Sequence, residues 1–325
     1  MTVARRTLLH LAAGAVLLPT LPRLAQASSY PSRPVRIMVG LAAGSASDII
    51  ARLIAQSLSE RLGQPFVVEN RPGAAGTLAV EGVVHAAPDG YTLLSNGSQD
   101  AVTATLNEKL NYDFIRDIAP VASIASGPLV LVVNPAFPTK TVPEFIAYAK
   151  ANPDKISFGS AGVGTVAHMA GELFMAMAAV KMLHVPYKGL APALNDLLGG
   201  QLQAVFATMP PAMGDIKAGR LRALAVTAKT RYQALPDLPT IGEFLAGYEA
   251  SVAIGLSAPK NVPTEIVDEL NKATNAALAD ATLQAKLANF GVVPLPMTPE
   301  AYGKFIAEET EKWAKVIRAA NIKPG

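Results

Sequence analysis

The sequence predicts an α/β fold of two lobes, each a mixed, mostly parallel sheet flanked by helices. Three observations predict it. Short β-branched runs alternate with segments of helical period, the grammar of parallel sheets covered on both faces. The same grammar stops and then resumes in the middle of the chain. The length of 325 residues is enough for two domains, although length alone fits one as well.

The elements follow in order. Arg5 and Arg6 precede an uncharged apolar run, Thr7 to Leu18, then Pro19 and Pro22, and Ala25-Gln26-Ala27 forms a small-x-small cleavage signature. Residues 1–27 therefore read as a cleavable export leader. Its paired arginines fit the twin-arginine route and also occur in ordinary secretory leaders. In the first lobe Val35 to Val39 is a strand, and Ile50, Leu53, Ile54 and Leu58 recur at helical spacing until Gly63. Phe66 to Glu69 is a second strand, Asn70-Arg71-Pro72-Gly73 a turn, Thr77 to Val84 a helix, and Tyr91 to Leu94 a third strand. After a strand at Leu129 to Val133, Thr141-Val142-Pro143-Glu144 opens a helix by a capping box, and Ile156 to Phe158 is a strand. Val166 to Met177 is a helix, and Met182 to Val185, Ala204 to Phe206 and Leu224 to Val226 are further strands. The apolar run Ser251 to Ser257 returns the chain to the first lobe, which three helical patterns (264–279, 281–290 and 299–320) complete. Crossings are expected near Ser126 and Val252, giving residues 28–126 with 253–325 as one lobe and 127–252 as the other.

Composition narrows the functions. The formal charge of +3 falls to zero once Arg5, Arg6 and Arg23 leave with the leader, and a neutral surface is a poor ligand for nucleic acid. The chain has no cysteine, which excludes disulfides, thiolate chemistry, Cys-based zinc sites and a lipidated anchor. No stretch is long enough to span a bilayer. Gly-x-Ser-x-Gly, His-Glu-x-x-His and phosphate-loop motifs are all missing, so catalysis, a metal and a cofactor are not expected.

Ligands of open parallel sheets sit beyond the carboxyl ends of the strands. Three strand-to-helix connections there are built of small residues: Gly40 to Ser47, Asn96 to Asp100 and Gly159 to Thr165. Free backbone amides and the positive macrodipole end at each helix start favour an anion without a side-chain cation. A carboxylate gripped by one such loop from each lobe is the expected ligand. Glycines that merely permit tight turns would give the same pattern.

At these loops the chain resembles the extracytoplasmic receptors of tripartite tricarboxylate transporters, the Bug family. The likeness runs from Tyr30-Pro31-Ser32-Arg33-Pro34-Val35 to Trp313-Ala314-Lys315-Val316-Ile317. Between them lie Val68-Glu69-Asn70-Arg71-Pro72-Gly73, Ala87-Pro88-Asp89-Gly90-Tyr91-Thr92-Leu93, His184-Val185-Pro186-Tyr187-Lys188-Gly189 and Asp196-Leu197-Leu198-Gly199-Gly200-Gln201. The resemblance implies a type II periplasmic-binding-protein fold, a Venus flytrap that closes on a small carboxylate, works as a periplasmic monomer and delivers its cargo to the transporter's membrane subunits. It places the ligand loops on Leu41, Ala42, Ala43, Gly44, Ser45 and Ser47, on Ser98, Gln99 and Asp100, and on Ser160, Ala161, Gly162, Gly164 and Thr165, with His168 nearby.

Departures bear on the ligand. Leu41-Ala42-Ala43-Gly44-Ser45 stands where the family shows Phe-Pro-Pro-Gly-Gly, which changes the loop's shape. Phe206 is followed by Ala207 and Thr208 rather than by an Asp, which removes a partner for a ligand amino group and favours an organic acid without one, aromatic or dicarboxylic acids included, over an acidic amino acid. Asp48 fits either a helix-capping role or a contact with a ligand donor through water, with the cap favoured, Tyr187 and Lys188 reach toward the cleft from a strand end, and Lys188 equally fits a solvated charge. A ligand-presenting partner of a sensor kinase shares the same fold and is the alternative reading.

Overall fold

A computed structural model describes residues 30–107, 110–233, 235–319 and 322–323; the leader expected at residues 1–27 lies outside them. The first lobe opens with β1 (Val35–Val39), α1 (Ala46–Leu62), β2 (Phe66–Asn70), α2 (Thr77–Val84), β3 (Thr92–Gly97), α3 (Ser98–Leu106) and the single turn α4 (Phe114–Asp117). The long β4 (Ile118–Val133) carries the chain into α5 (Val142–Ala151), β5 (Ser157–Ser160), α6 (Val166–Ala178), β6 (Leu183–Pro186), α7 (Leu190–Leu198), β7 (Ala204–Thr208), α8 (Met209–Lys217) and β8 (Arg222–Val226). It returns through β9 (Ser251–Pro259) to α9 (Thr264–Leu278), α10 (Ala281–Asn289), β10 (Val293–Pro294) and α11 (Pro299–Ala319).

The strands form one continuous path, β2-β1-β3-β9-β4-β7-β5-β6, with β8 and β10 also pairing with β4. Contacts of β1 with β2 and β3, and of β5 with β6 and β7, are parallel, as the alternating pattern requires. The crossing strands supply the antiparallel pairs. Up to Pro128, opposite Ser251, β4 lies against β9; from Leu129 onward it lies between β7 and β8. The buried Thr227 hydroxyl ties the joint, because it accepts from the Leu129 N–H at 2.7 Å and also reaches the carbonyls of Leu129 and Ala250.

Each lobe has its own core. In the first, Ile50, Ile54 and Leu58 of α1 pack on Val35, Ile37 and Val39, and Leu270, Ala277 and Leu287 close the same side. In the second, Phe145, Phe158, Phe174 and Phe206 fill the space around Leu131 and Val133. The last helix joins the two. Tyr302 and Ile306 pack into the first lobe with Met38 and Phe114, whereas Trp313 and Ile317, about two turns or more further on, belong to the second lobe's core. Trp313 is fully buried and its indole N–H donates to Glu309 Oε2 at 3.1 Å.

Two parts of the sequence reading need correction. Asn96-Gly97 is not loop: β3 runs through Gly97 and α3 begins at once. The cause is a close approach, since a Cβ on Gly97 would sit 1.9 Å from the Ala253 carbonyl oxygen. Only glycine lets β3 and β9 pair there. The second correction is the start of β4, which lies eleven residues before Leu129. Pro120, Gly127 and Pro128 hide it, and the register indeed shifts between Pro120 and Ala122 and again between Ser123 and Ala125.

Candidate functional site

Two helix starts from opposite lobes face one another, and they are built alike. At α1 the Ser45 hydroxyl accepts from the Asp48 N–H at 3.3 Å, while Asp48 Oδ2 accepts from the Gly44 N–H at 2.9 Å. At α6 the Thr165 hydroxyl accepts from the His168 N–H at 3.3 Å, while His168 Nδ1 accepts from the Gly164 N–H at 3.2 Å. Gly44 and Gly164 both hold positive φ, 80° and 78°, so the turn before each cap is the same left-handed one. The third side chain of each helix thus fastens its own loop rather than reaching for a ligand.

Capping leaves few amides over. The first four N–H groups of a helix lack intrahelical partners. In α1 the cap and the Ser45 carbonyl satisfy Asp48 and Ile49, and in α6 Thr165 does the same for His168 and Met169. That leaves Ala46 and Ser47 on one side and Val166 and Ala167 on the other. All four line a small chamber of about 50 Å³ together with Leu41, Ser45, Gln99, Ala161, Thr165, Gly189, Leu190, Thr208 and Val252. Its wall is mainly apolar, so an anion there would face helix dipoles across a medium that screens them poorly.

Gln99 spans the gap between the lobes. Its Nε2 donates to the Gly164 carbonyl at 3.1 Å, and its Oε1 accepts from the Val166 N–H at 3.3 Å. A further bond to Thr103 Oγ1, 3.1 Å, fixes the amide from its own helix. Of the four helix-start amides left over by the caps, Val166 therefore already has a protein partner, and Ala46, Ser47 and Ala167 have none among the described residues.

Outside this chamber, and sharing Leu41, Ala161 and Gly189 with it, lies a larger one of about 620 Å³. Gly40 to Ala42 and the Pro72 to Gly76 loop wall it from the first lobe, Ala161 to Val163 and Tyr187 to Gly189 from the second, and Thr103, Leu106 and Asn107 close its end. Tyr187 is anchored through its hydroxyl, which donates to Asp196 Oδ2 at 2.6 Å, and its N–H donates to the Ser160 carbonyl. Desolvation and the Asp196 carboxylate push its phenol up to about 12.

Behind the second-lobe loop stand two imidazoles. His168 and His184 stack with centroids 3.9 Å apart, and His184 Nε2 lies 2.7 Å from the Ser160 hydroxyl, which in turn holds both the N–H and the C=O of Gly162. His168 Nε2 lies 3.3 Å from Glu172 Oε1. Burial, helped by His168, pushes His184 down to about 3, so it is a neutral hydrogen-bonding group. Burial alone would raise the Asp48 carboxyl, but hydrogen bonds from Arg52, the Gly44 N–H and Asn70 outweigh it and hold Asp48 below the usual range. Asp100 shows the opposite balance. Burial pushes it up to about 7 against the hydrogen bonds from the Gly97 and Asp100 amides.

Of the residues singled out from sequence, Leu41, Ala42, Ser45, Ser47, Gln99, Ala161, Gly162, Thr165, Tyr187 and Thr208 line the two chambers. Ala43, Gly44, Ser98, Asp100, Ser160, Gly164, His168 and Ala207 do not. Ser98 accepts from the Ala253 N–H at 3.1 Å, Ala207 is fully buried in the second lobe, and Asp100 holds the Gly97 amide at 2.9 Å. The sequence reading missed the wall from Pro72 to Gly76, although its turn follows the carboxyl end of β2 and the crevice rule reaches it. It also missed Val166 and Ala167, the first two residues of α6 after the cap at Thr165, of which Ala167 keeps an amide without a partner among the described residues.

Residues 50–322 match the tripartite tricarboxylate transporter family receptor. The chain belongs to that family. The receptor is 36% identical to protein BugT of Bordetella pertussis over 302 residues, 91% of this chain and 92% of the other. Among solved structures, R. palustris Rpa4515 with adipate superposes with a TM-score of 0.88 at 35% identity, covering 91% of the receptor and all of that chain. MatC (Rpa3494) from Rhodopseudomonas palustris with bound malate gives 0.83 at 33% identity, covering 89% of the receptor and all of that chain. The periplasmic binding protein BugD superposes with a TM-score of 0.86 at 35% identity, covering 90% of the receptor and 99% of that chain, in keeping with a two-lobed periplasmic-binding-protein fold, and no helix among the described residues is long and apolar enough to cross a membrane.

Proposed function

We propose that the receptor captures a small organic carboxylate in the periplasm, without turning it over, and presents it as a monomer to the membrane subunits of a tripartite transporter. One observation carries the proposal: the first turns of α1 and α6 line one chamber from opposite lobes, and the amides of Ala46, Ser47 and Ala167 there have no partner among the described residues. Hydrogen bonds to a charged group contribute roughly 1.5–3 kcal/mol each, and micromolar binding needs about 8 kcal/mol. The amides of Ala46, Ser47 and Ala167, with the hydroxyls of Ser47 and Thr208 beside them, supply that order of energy. Among the described residues the chamber presents no carboxylate to hold a ligand amino group, and Ala207 and Thr208 stand at the end of β7. The adipate and malate of the two related structures are carboxylates of this kind.

The lobes, taken as 28–126 with 253–325 and 127–252, would rotate about the joint at Thr227, and ligand would favour closure by touching both at once. The test is a thermal-shift series on the purified chain with mono-, di-, tri- and aromatic carboxylates. Ligand at a hundredfold excess over Kd adds about 2.7 kcal/mol to stability, a rise of several degrees for a chain of this size. Failure of every organic acid to raise Tm, or turnover of one, overturns the proposal.

A further inference from the structure

The two helix starts are fastened alike but by unlike acceptors. At α1 the Gly44 N–H is held by a carboxylate, Asp48, and at α6 the Gly164 N–H is held by an imidazole, Nδ1 of the buried His168 at 3.2 Å. A backbone N–H can only donate, so Nδ1 presents its lone pair and the ring's one proton sits on Nε2, 3.3 Å from Glu172 Oε1. Imidazole is the side chain that ordinarily gains a proton between pH 8 and 5. A second proton would place an N–H on Nδ1 against the N–H of Gly164, and that bond would be lost. Asp48 undergoes no such change there, because its carboxyl is held below the usual range.

The neighbours of the ring direct the proton to His168. From β6, His184 stacks on it at 3.9 Å, and burial with the influence of His168 pushes His184 down to about 3, so the partner ring stays neutral. Of the elements packed on α6, β5 and β7 carry no titratable side chain. Asp100 of α3 is turned to the Gly97 amide, Glu309 of α11 holds Lys312 and the Trp313 indole, and the Tyr248 hydroxyl donates to the Ala170 carbonyl. Glu172 alone faces Nε2, with Asp154 and Lys181 on the surface hollow beyond it. An imidazolium there would favour an anion in the cleft by its charge, but the Glu172 carboxylate compensates that charge at contact distance. The lost anchor then decides the sign.

Gly164 matters to the cleft because both lobes hold it. Its carbonyl accepts from Gln99 Nε2 of the first lobe at 3.1 Å, and the next residue, Thr165, caps the turn that carries Ala167. From this asymmetry we infer that His168 is a positioning residue whose second proton unfastens Gly164, so that the receptor holds its carboxylate at neutral pH and releases it as pH falls through the imidazole range. The inference rests on the carboxylate reading of the inner chamber and adds a proton-coupled release.

The experiment has two readouts. In the ligand-free 15N-labelled chain, taken from pH 8 to 5.5, the Gly164 amide should shift with a midpoint in the imidazole range while the Gly44 amide stays still. In His168→Asn, whose Oδ1 accepts in place of Nδ1 and gains no proton, Gly164 should stay still as well. Calorimetric titration with adipate and with malate supplies the second. The ratio of wild-type Kd to His168→Asn Kd should rise about threefold to tenfold from pH 7.5 to 5.5, the worth of one neutral hydrogen bond, the ligand's own titration being common to both proteins. A wild-type Gly164 that does not titrate, or that titrates alike in the variant, overturns the assignment. So does a ratio that stays level, or one that falls, which would mean that the imidazolium acts through its charge. Failure of both acids to bind either protein counts against the carboxylate reading and removes the release with it, whereas an unmoved Gly164 removes the fastening whatever binds. The comparison of Gly164 with Gly44 in the wild type stands without any variant.

Discussion

Replacing Gln99 by Ala removes the side chain that bridges the lobes inside the cleft. Two of its bonds cross the gap, to the Gly164 carbonyl at 3.1 Å and from the Val166 N–H at 3.3 Å. A neutral hydrogen bond contributes about 0.5–1.5 kcal/mol net, so the closed form should lose about 1–3 kcal/mol relative to the open one. That corresponds to a population shift of about 5- to 150-fold. Because ligand needs both lobes at once, the apparent Kd of any bound carboxylate should rise by up to the same factor. Small-angle scattering should also show a larger radius of gyration for the ligand-free variant, with Tm falling by only a few degrees. An unchanged Kd together with an unchanged radius would refute the reasoning, since the bridge would then contribute nothing to closure.

Other consequences follow from single residues. Gly97→Ala places a Cβ 1.9 Å from the Ala253 carbonyl, and such overpacking costs typically 1–3 kcal/mol or more, so thermal unfolding should begin several degrees lower; an unaltered Tm would contradict the pairing of β3 with β9. Thr227→Val strands the buried Leu129 amide, a loss of about 1–3 kcal/mol that urea unfolding would report. Asp100 and His184 give opposite pH slopes. The folded Asp100 is pushed up to about 7, so its contribution is fully present at low pH and falls as pH rises from the unfolded carboxyl range toward 7. The folded His184 is pushed down to about 3, so its contribution is complete above the ordinary imidazole range and falls as pH drops toward 3. Between pH 4 and 6.5 the two slopes oppose. Tm of Asp100→Asn should therefore drop more steeply on acidification than that of the wild type, and Tm of His184→Gln should drop less steeply or rise.

Much of this architecture is legible from local pattern. The period of Ile50, Ile54 and Leu58, the cap at Ser45 and the stop at Gly63 define α1 because all three are short-range effects. What escapes is set by distant partners. Gly97 looks like loop until the Ala253 carbonyl is placed beside it, and Pro120 looks like a break until a bulge in the pairing with β9 accommodates it. The attachment of Trp313 to the second lobe is likewise invisible, since helical period identifies a buried face and not the core that receives it. In the site, small-residue loops mark the crevice correctly, but the division of labour within each loop depends on geometry. Asp48 and His168 turn back to hold Gly44 and Gly164, leaving the neighbouring amides free.

The central claim is that those free amides bind the carboxylate, and backbone NMR tests it directly. Titration of the 15N-labelled chain with a carboxylate that raises Tm should move the amide protons of Ala46, Ser47 and Ala167 downfield together, while the corresponding uncharged carboxamide leaves them nearly still. Shifts confined to other residues, or equal responses to the acid and its amide, would contradict it.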